Sequence, residues 1–132
     1  MYGFFPEMSD TDVQKISMLG LAHTGDAVYE LLIRSMLCQS GHTSVIEMHK
    51  LAVSMVKAQA QAKAVKKIMP ILTEDELSVY KRGRNAKVNS VPHNASPGEY
   101  HAATGLEVLF GWLYLQGKVE RVNELFNAIM EE

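Results

Sequence analysis

At 132 residues the chain is long enough for one hydrophobic core and too short for a second module, so the expected organisation is a single domain over residues 1–132. Hydrophobic content of 47% against 21% charged residues excludes a disordered chain. No apolar run approaches the roughly 18 residues that cross a bilayer, and no basic-then-apolar start marks a signal peptide, so no membrane association and a cytoplasmic location are expected.

The single cysteine, Cys38, excludes an internal disulfide and a thiolate zinc site, and reads as a small core hydrophobe. The net charge of -2 conceals an asymmetry: from Lys50 to Lys87 nine of the thirteen basic residues face three acids, a window of +6, against -8 elsewhere. A basic middle in an acidic protein suits either a polyanion or a solvated lysine-rich helix face.

In chain order, the residues from Thr11 to Ile16 predict a short first helix, and those from Met18 to Cys38 a longer one that Gly25 either interrupts or packs closely and Gly41 ends. Ser44–Glu47 and Thr73–Glu76 both fit the capping-box pattern at a helix start. From Val45 to Met69, Ala, Lys, Gln and Met predict one long helix closed by Pro70. Its apolar stripe is Leu51, Met55, Ala58, Ala62 and Val65, with Lys50, Lys57, Lys63 and Lys67 largely off it. A helix from Glu74 to about Ala86 follows. The stretch Lys87–Gly98, rich in Pro, Asn and Ser, predicts a loop. Glu99 to Gln116 then reads as an almost wholly apolar helix, and Val119 to Met130 as an amphipathic one. With no strand of period two, the fold class is all-α, a domain of about six helices.

Two carboxylates break the apolar helices. Asp26 follows Gly25 and suits either a helix cap or a functional site. Glu30, one turn later, suits a metal shared with Asp26 but better an ion pair with Arg34. Glu107 has no cation at helical spacing, since its neighbours there are Ala103, Thr104, Phe110 and Gly111. A buried carboxylate needs a partner, so Glu107 requires either a distant Lys or Arg or a cation held together with Asp26; oxygen ligands suit Mg2+. The five histidines lack paired metal spacing, and Ser9, Ser17 and Ser96 lack a nucleophile-elbow context, which argues against covalent hydrolase chemistry. In Lys81-Arg82-Gly83-Arg84-Asn85-Ala86-Lys87, two arginines flank a glycine where backbone can approach phosphates, a pattern suited to nucleic acid.

Together these residues resemble the ribonuclease III family, most closely its short bacterial form, Mini-III. Gly25-Asp26 with Ala27-Val28-Tyr29-Glu30 is similar to the signature helix, Glu107-Val108-Leu109-Phe110-Gly111 to the second acidic helix, and the Lys81–Lys87 element to one specific to Mini-III. The similarity spans roughly Leu19 to Leu115. It departs from larger members at Ala22 and Thr104, where those carry additional acids, which leaves the number of bound metals open.

The resemblance implies a ribonuclease III-like endonuclease domain without the appended double-stranded-RNA-binding domain of larger members. It further implies a homodimer with one site per subunit, and precursor 23S ribosomal RNA as substrate. Carried onto this chain, Asp26 and Glu107 are the catalytic and metal-binding carboxylates for Mg2+, with Mn2+ as a substitute. The expected products are a 5'-phosphate and a 3'-hydroxyl. Lys81, Arg82, Arg84, Asn85 and Lys87, with Lys50 and Lys57 as weaker candidates, are expected to grip the duplex, and a large-subunit ribosomal protein is a further expected partner. The alternative is a catalytically inactive RNA-binding module with the same fold, for which Ala22 and Thr104 would mark a lost site. A third, a protein-interaction domain using Met18, Met36, Met48 and Met55, conflicts with the core-like spacing of those methionines.

Overall fold

The computed structural model describes residues 1–87, 91, 93 and 96–131. Among them are seven α-helices and no strand: α1 (Asp10–Gln14), α2 (Met18–Gln39), α3 (Val45–Val56), α4 (Ala58–Ile68), α5 (Glu74–Arg84), α6 (Pro97–Leu115) and α7 (Val119–Met130). The expected long helix from Val45 to Met69 is two helices. Lys57, with ψ 153°, ends α3 and starts α4 although no Gly or Pro stands there. Helix propensity is a weak local preference, and here tertiary packing overrides it. The two halves serve different partners, α3 packing on α2, and α4 on α6 and α7. The break also resets the phase of the apolar stripe, so that Ala52 is buried in α3, and Gln61, Ala64, Val65 and Ile68 in α4.

Other boundaries differ for identifiable reasons. α6 begins at Pro97, two residues before the expected Glu99, because Ser96 accepts the Glu99 amide at 3.1 Å and proline suits a first turn with no amide partner. Residues 88–90, 92, 94 and 95 of the expected loop lie outside the described residues. The Thr73–Glu76 capping box is complete. At Ser44 only the hydroxyl half forms, since the Glu47 carboxylate pairs instead with His42 Nδ1.

α6 is the central element, with Leu106, Val108, Leu109 and Phe110 fully buried. Its most extensive contact is with α2, followed by α5 and α4. α2 presents Leu21, Gly25, Tyr29, Ile33 and Leu37, one residue every four, to this core, and the Tyr29 ring stands edge-on to Phe110 with centroids 5.3 Å apart. Cys38, next to the stripe rather than on it, is exposed, not the core residue expected. Met18, Met36, Met48 and Met55 pack against the core.

Candidate active site

α2 runs unbroken through Gly25, and its N-cap is Ser17, whose hydroxyl accepts the Gly20 amide at 3.0 Å. Asp26 therefore caps no helix. Gly25 serves close packing instead: a Cβ placed on it would lie 2.6 Å from the Glu107 carbonyl carbon and nearer still to its oxygen. Gly111, one turn beyond Glu107, is also closely packed against the backbone of Leu21 and Gly25. The α2–α6 crossing is thus backbone on backbone, and only residues without a Cβ permit that approach. Asp26, the next residue on α2, is thereby brought beside the Glu107 side chain on α6.

The electrostatics follow from this placement. Burial first, and the neighbouring Asp26 carboxylate second, together push the Glu107 carboxyl up to about 8, while nearby Gln61 opposes the rise. Among the described residues Glu107 forms no ion pair with Lys or Arg, so the distant cation that would have neutralised it is not found. Glu30, by contrast, is paired with Arg34 at 2.9 Å.

Glu107 lines a cleft of about 350 Å³ together with Lys57, Gln61, Glu99, Tyr100 and Thr104. Thr104 is buried and donates its hydroxyl to the Tyr100 carbonyl at 3.1 Å. Ala22, one turn before Asp26, is also buried. No group of three or more His, Cys, Asp or Glu suited to a metal occurs among the described residues; Asp26 stands beside Glu107, and Glu99 lines the same cleft. Two carboxylates with neutral oxygens nearby fit a hard, largely hydrated cation such as Mg2+, which is commonly held by one or two carboxylates and keeps several waters.

The basic residues divide. Lys57 lines the Glu107 cleft, placed there by the α3–α4 break, whereas Lys50 is exposed on α3 and does not. Lys81, Arg82 and Asn85 border a separate shallow hollow with Glu74 and Ser78. Arg84 lies over the Tyr80 ring, 5.8 Å from its centroid, and donates to Asn85 Oδ1 at 3.3 Å, while Lys87 is exposed. Gly83 does not offer its backbone to phosphates as expected. It is buried against α6, where an added Cβ would stand 2.7 Å from that of Val108. Sequence reading missed Gln61, Glu99 and Tyr100 as cleft residues. A glutamine on the apolar side of an Ala-rich helix was the available signal for the first.

Residues 19–118 match the ribonuclease III domain family, and the chain belongs to that family; it is an endoribonuclease of the ribonuclease III type. Within the family it is similar to proteins named Mini-ribonuclease 3. That of Symbiobacterium thermophilum is 46% identical over 83% of this chain and 85% of its own length. That of Thermoanaerobacter sp. is 41% identical over 100% of this chain and 97% of its own. A crystal structure of a protein from Fusobacterium nucleatum superposes with a TM-score of 0.81 at 34% identity, covering 90% of this chain and 95% of that one.

Proposed function

We propose that the chain hydrolyses phosphodiester bonds in double-stranded RNA with Mg2+, or Mn2+ in its place, held by Asp26 and Glu107, and that it acts in the cytoplasm on precursor 23S ribosomal RNA. The observation that carries this reading is the pair itself: an exposed Asp26 and a half-buried Glu107 brought side by side by a glycine-mediated helix crossing, Glu107 raised to about 8, with no basic side chain paired to it among the described residues. A like-charged pair in a partly buried place is costly unless a cation relieves it.

When bound, a divalent cation supplies Lewis-acid neutralisation of phosphate charge and an acidified water. The chain's own residues orient the substrate. Lys57, in the same cleft as Glu107, holds a phosphate next to the carboxylates, and the Lys81–Lys87 element contacts backbone farther along the duplex. Such contacts read A-form shape more than sequence.

The homodimer fits an apolar hollow of about 350 Å³ lined by Phe4, Phe5, Val28, Leu31 and Tyr114, with Phe4, Phe5 and Leu31 exposed. A second copy covering it would give two sites, one for each strand, and the resemblance to Mini-III supports a large-subunit ribosomal protein as the partner that presents the RNA. Cleavage of an end-labelled RNA duplex tests the reading. The native chain is expected to cut only with Mg2+ or Mn2+, leaving 5'-phosphate ends, and folded Asp26→Asn and Glu107→Gln to lose at least about a hundredfold in rate. Duplex binding without cutting by the native chain would instead make it an inactive RNA-binding module.

A further inference from the structure

Gln61 is 2% exposed, one of three buried polar side chains among the described residues, and it stands where α4 otherwise buries Ala64, Val65 and Ile68. A carboxamide in such a position must be hydrogen-bonded to be tolerated. Its Nε2 donates to the Val56 carbonyl at 3.0 Å. That carbonyl is the last of α3, deprived of its helical partner because Lys57 turns away. The same side chain lines the cleft with Glu107, close enough to its carboxyl to oppose the rise of its pKa. With Nε2 committed to Val56, Oε1 is left without a protein partner.

We propose that Gln61 is a positioning residue: its buried amide joins the α3–α4 break to Glu107 and holds that carboxylate in the orientation that faces Asp26. This rests on the reading of Asp26 and Glu107 as a metal site. The arrangement also explains how the break survives, since one side chain satisfies the freed carbonyl and constrains the acid, and Lys57 at the break is carried to the same cleft. Groups that orient a ligand from behind commonly change metal affinity or activity by about 10–100-fold when removed.

The test measures Mn2+ binding by calorimetry and RNA cleavage by the full-length chain, native and Gln61→Met, which keeps length and burial but removes the donors. Thermal melts check folding. The expected result is a folded variant with KM for the duplex within about twofold of native, and with Mn2+ affinity and kcat both lowered about tenfold or more. Unchanged Mn2+ affinity and kcat, even with a lower Tm, would overturn the proposal and leave Gln61 as only a cap for Val56. Should Gln61→Met fail to fold, Gln61→Asn takes its place: it keeps the amide but is too short to reach both acceptors, and the same two outcomes decide. An Asp26→Asn chain run alongside separates the two ideas. If native Mn2+ binding is absent or survives Asp26→Asn, the metal-site reading fails and takes the role of Gln61 with it. If binding depends on Asp26 but not on Gln61, the role of Gln61 alone fails.

Discussion

Gly25→Ala adds one methyl group at the point where α2 and α6 touch. That carbon would lie 2.6 Å from the Glu107 carbonyl carbon and 2.8 Å from the Gly111 amide nitrogen. Carbon atoms rest at about 3.5–4.0 Å, so the helices must part by at least about 1 Å. The obstacle is backbone, which cannot swing aside like a side-chain end. Parting α2 from α6 loosens the largest helix contact in the fold. Overpacking typically costs about 1–3 kcal/mol, and this site belongs at or above the top of that range. Alanine's better helix propensity returns about 1 kcal/mol. A net loss of roughly 2–3 kcal/mol lowers Tm by about 10 °C in a chain of this size. The control is Gly98→Ala, where an added Cβ meets nothing within 4 Å and the same propensity gain should leave Tm level or slightly raised. Melts of both variants, at matched protein concentration because of the proposed dimer, decide the matter. A Gly25→Ala chain melting within about 2 °C of native would refute the backbone-on-backbone crossing as the feature that brings Asp26 to Glu107.

Further outcomes are expected at other positions. The Glu107 carboxyl, raised above its ordinary value to about 8, favours the metal-free fold most at low pH, and that contribution is lost as pH rises through about 8. Metal-free Glu107→Gln should therefore melt higher than native at pH 8.5 but not at pH 4, while Mn2+ binding by the native chain, measured calorimetrically, should tighten from about pH 6 to 9 as Glu107 deprotonates. At the α5–α7 junction Arg121 donates to both oxygens of the buried Glu76 at 2.8 Å and to the Ile71 carbonyl at 2.7 Å. Arg121→Met should cost roughly 2–3 kcal/mol in denaturant unfolding at pH 7, less than a fully buried pair because the arginine retains solvent contact. Burial opposes ionisation of Glu76, but its bonds to Arg121 and Thr73 prevail and hold its pKa below the ordinary value. Its contribution is thus present above about pH 4.5 and lost as pH falls below, so the deficit of Arg121→Met should shrink at pH 3. Lys57→Ala should lower kcat/KM on an RNA duplex about tenfold and reduce the salt slope by about one, whereas Lys50→Ala, outside the cleft, should change kcat/KM less than about twofold.

Much of the fold was legible because its causes are local. The Thr73 capping box, the Gly41 stop at φ +97°, the α7 stripe of Val122, Leu125, Phe126 and Ile129, and the Glu30–Arg34 pair each depend on residues within a turn or two of one another. The break at Lys57 was not legible, because the residues around it favour helix and only α6 and α7 require α4 to leave the line of α3. Gly83 was misread for a similar reason. From sequence it looks like an opening between arginines, and only the packing of α5 on Val108 and Gly105 gives its actual use.

The candidate site divides along the same line. Sequence by itself determined that Asp26 and Glu107 are acids on apolar helices and that Glu107 has no cation at helical spacing, because helical periodicity settles which neighbours a side chain can reach. Tertiary structure decided that these two acids meet, that Lys57 and Gln61 join Glu107 in one cleft while Lys50 does not, and that Lys81 and Arg82 border a different hollow. Those relations come from a crossing made possible by Gly25 and Gly111 and from a break imposed by packing. Contact between segments 81 residues apart, as for Asp26 and Glu107, depends on the geometry of the whole core and not on any local pattern.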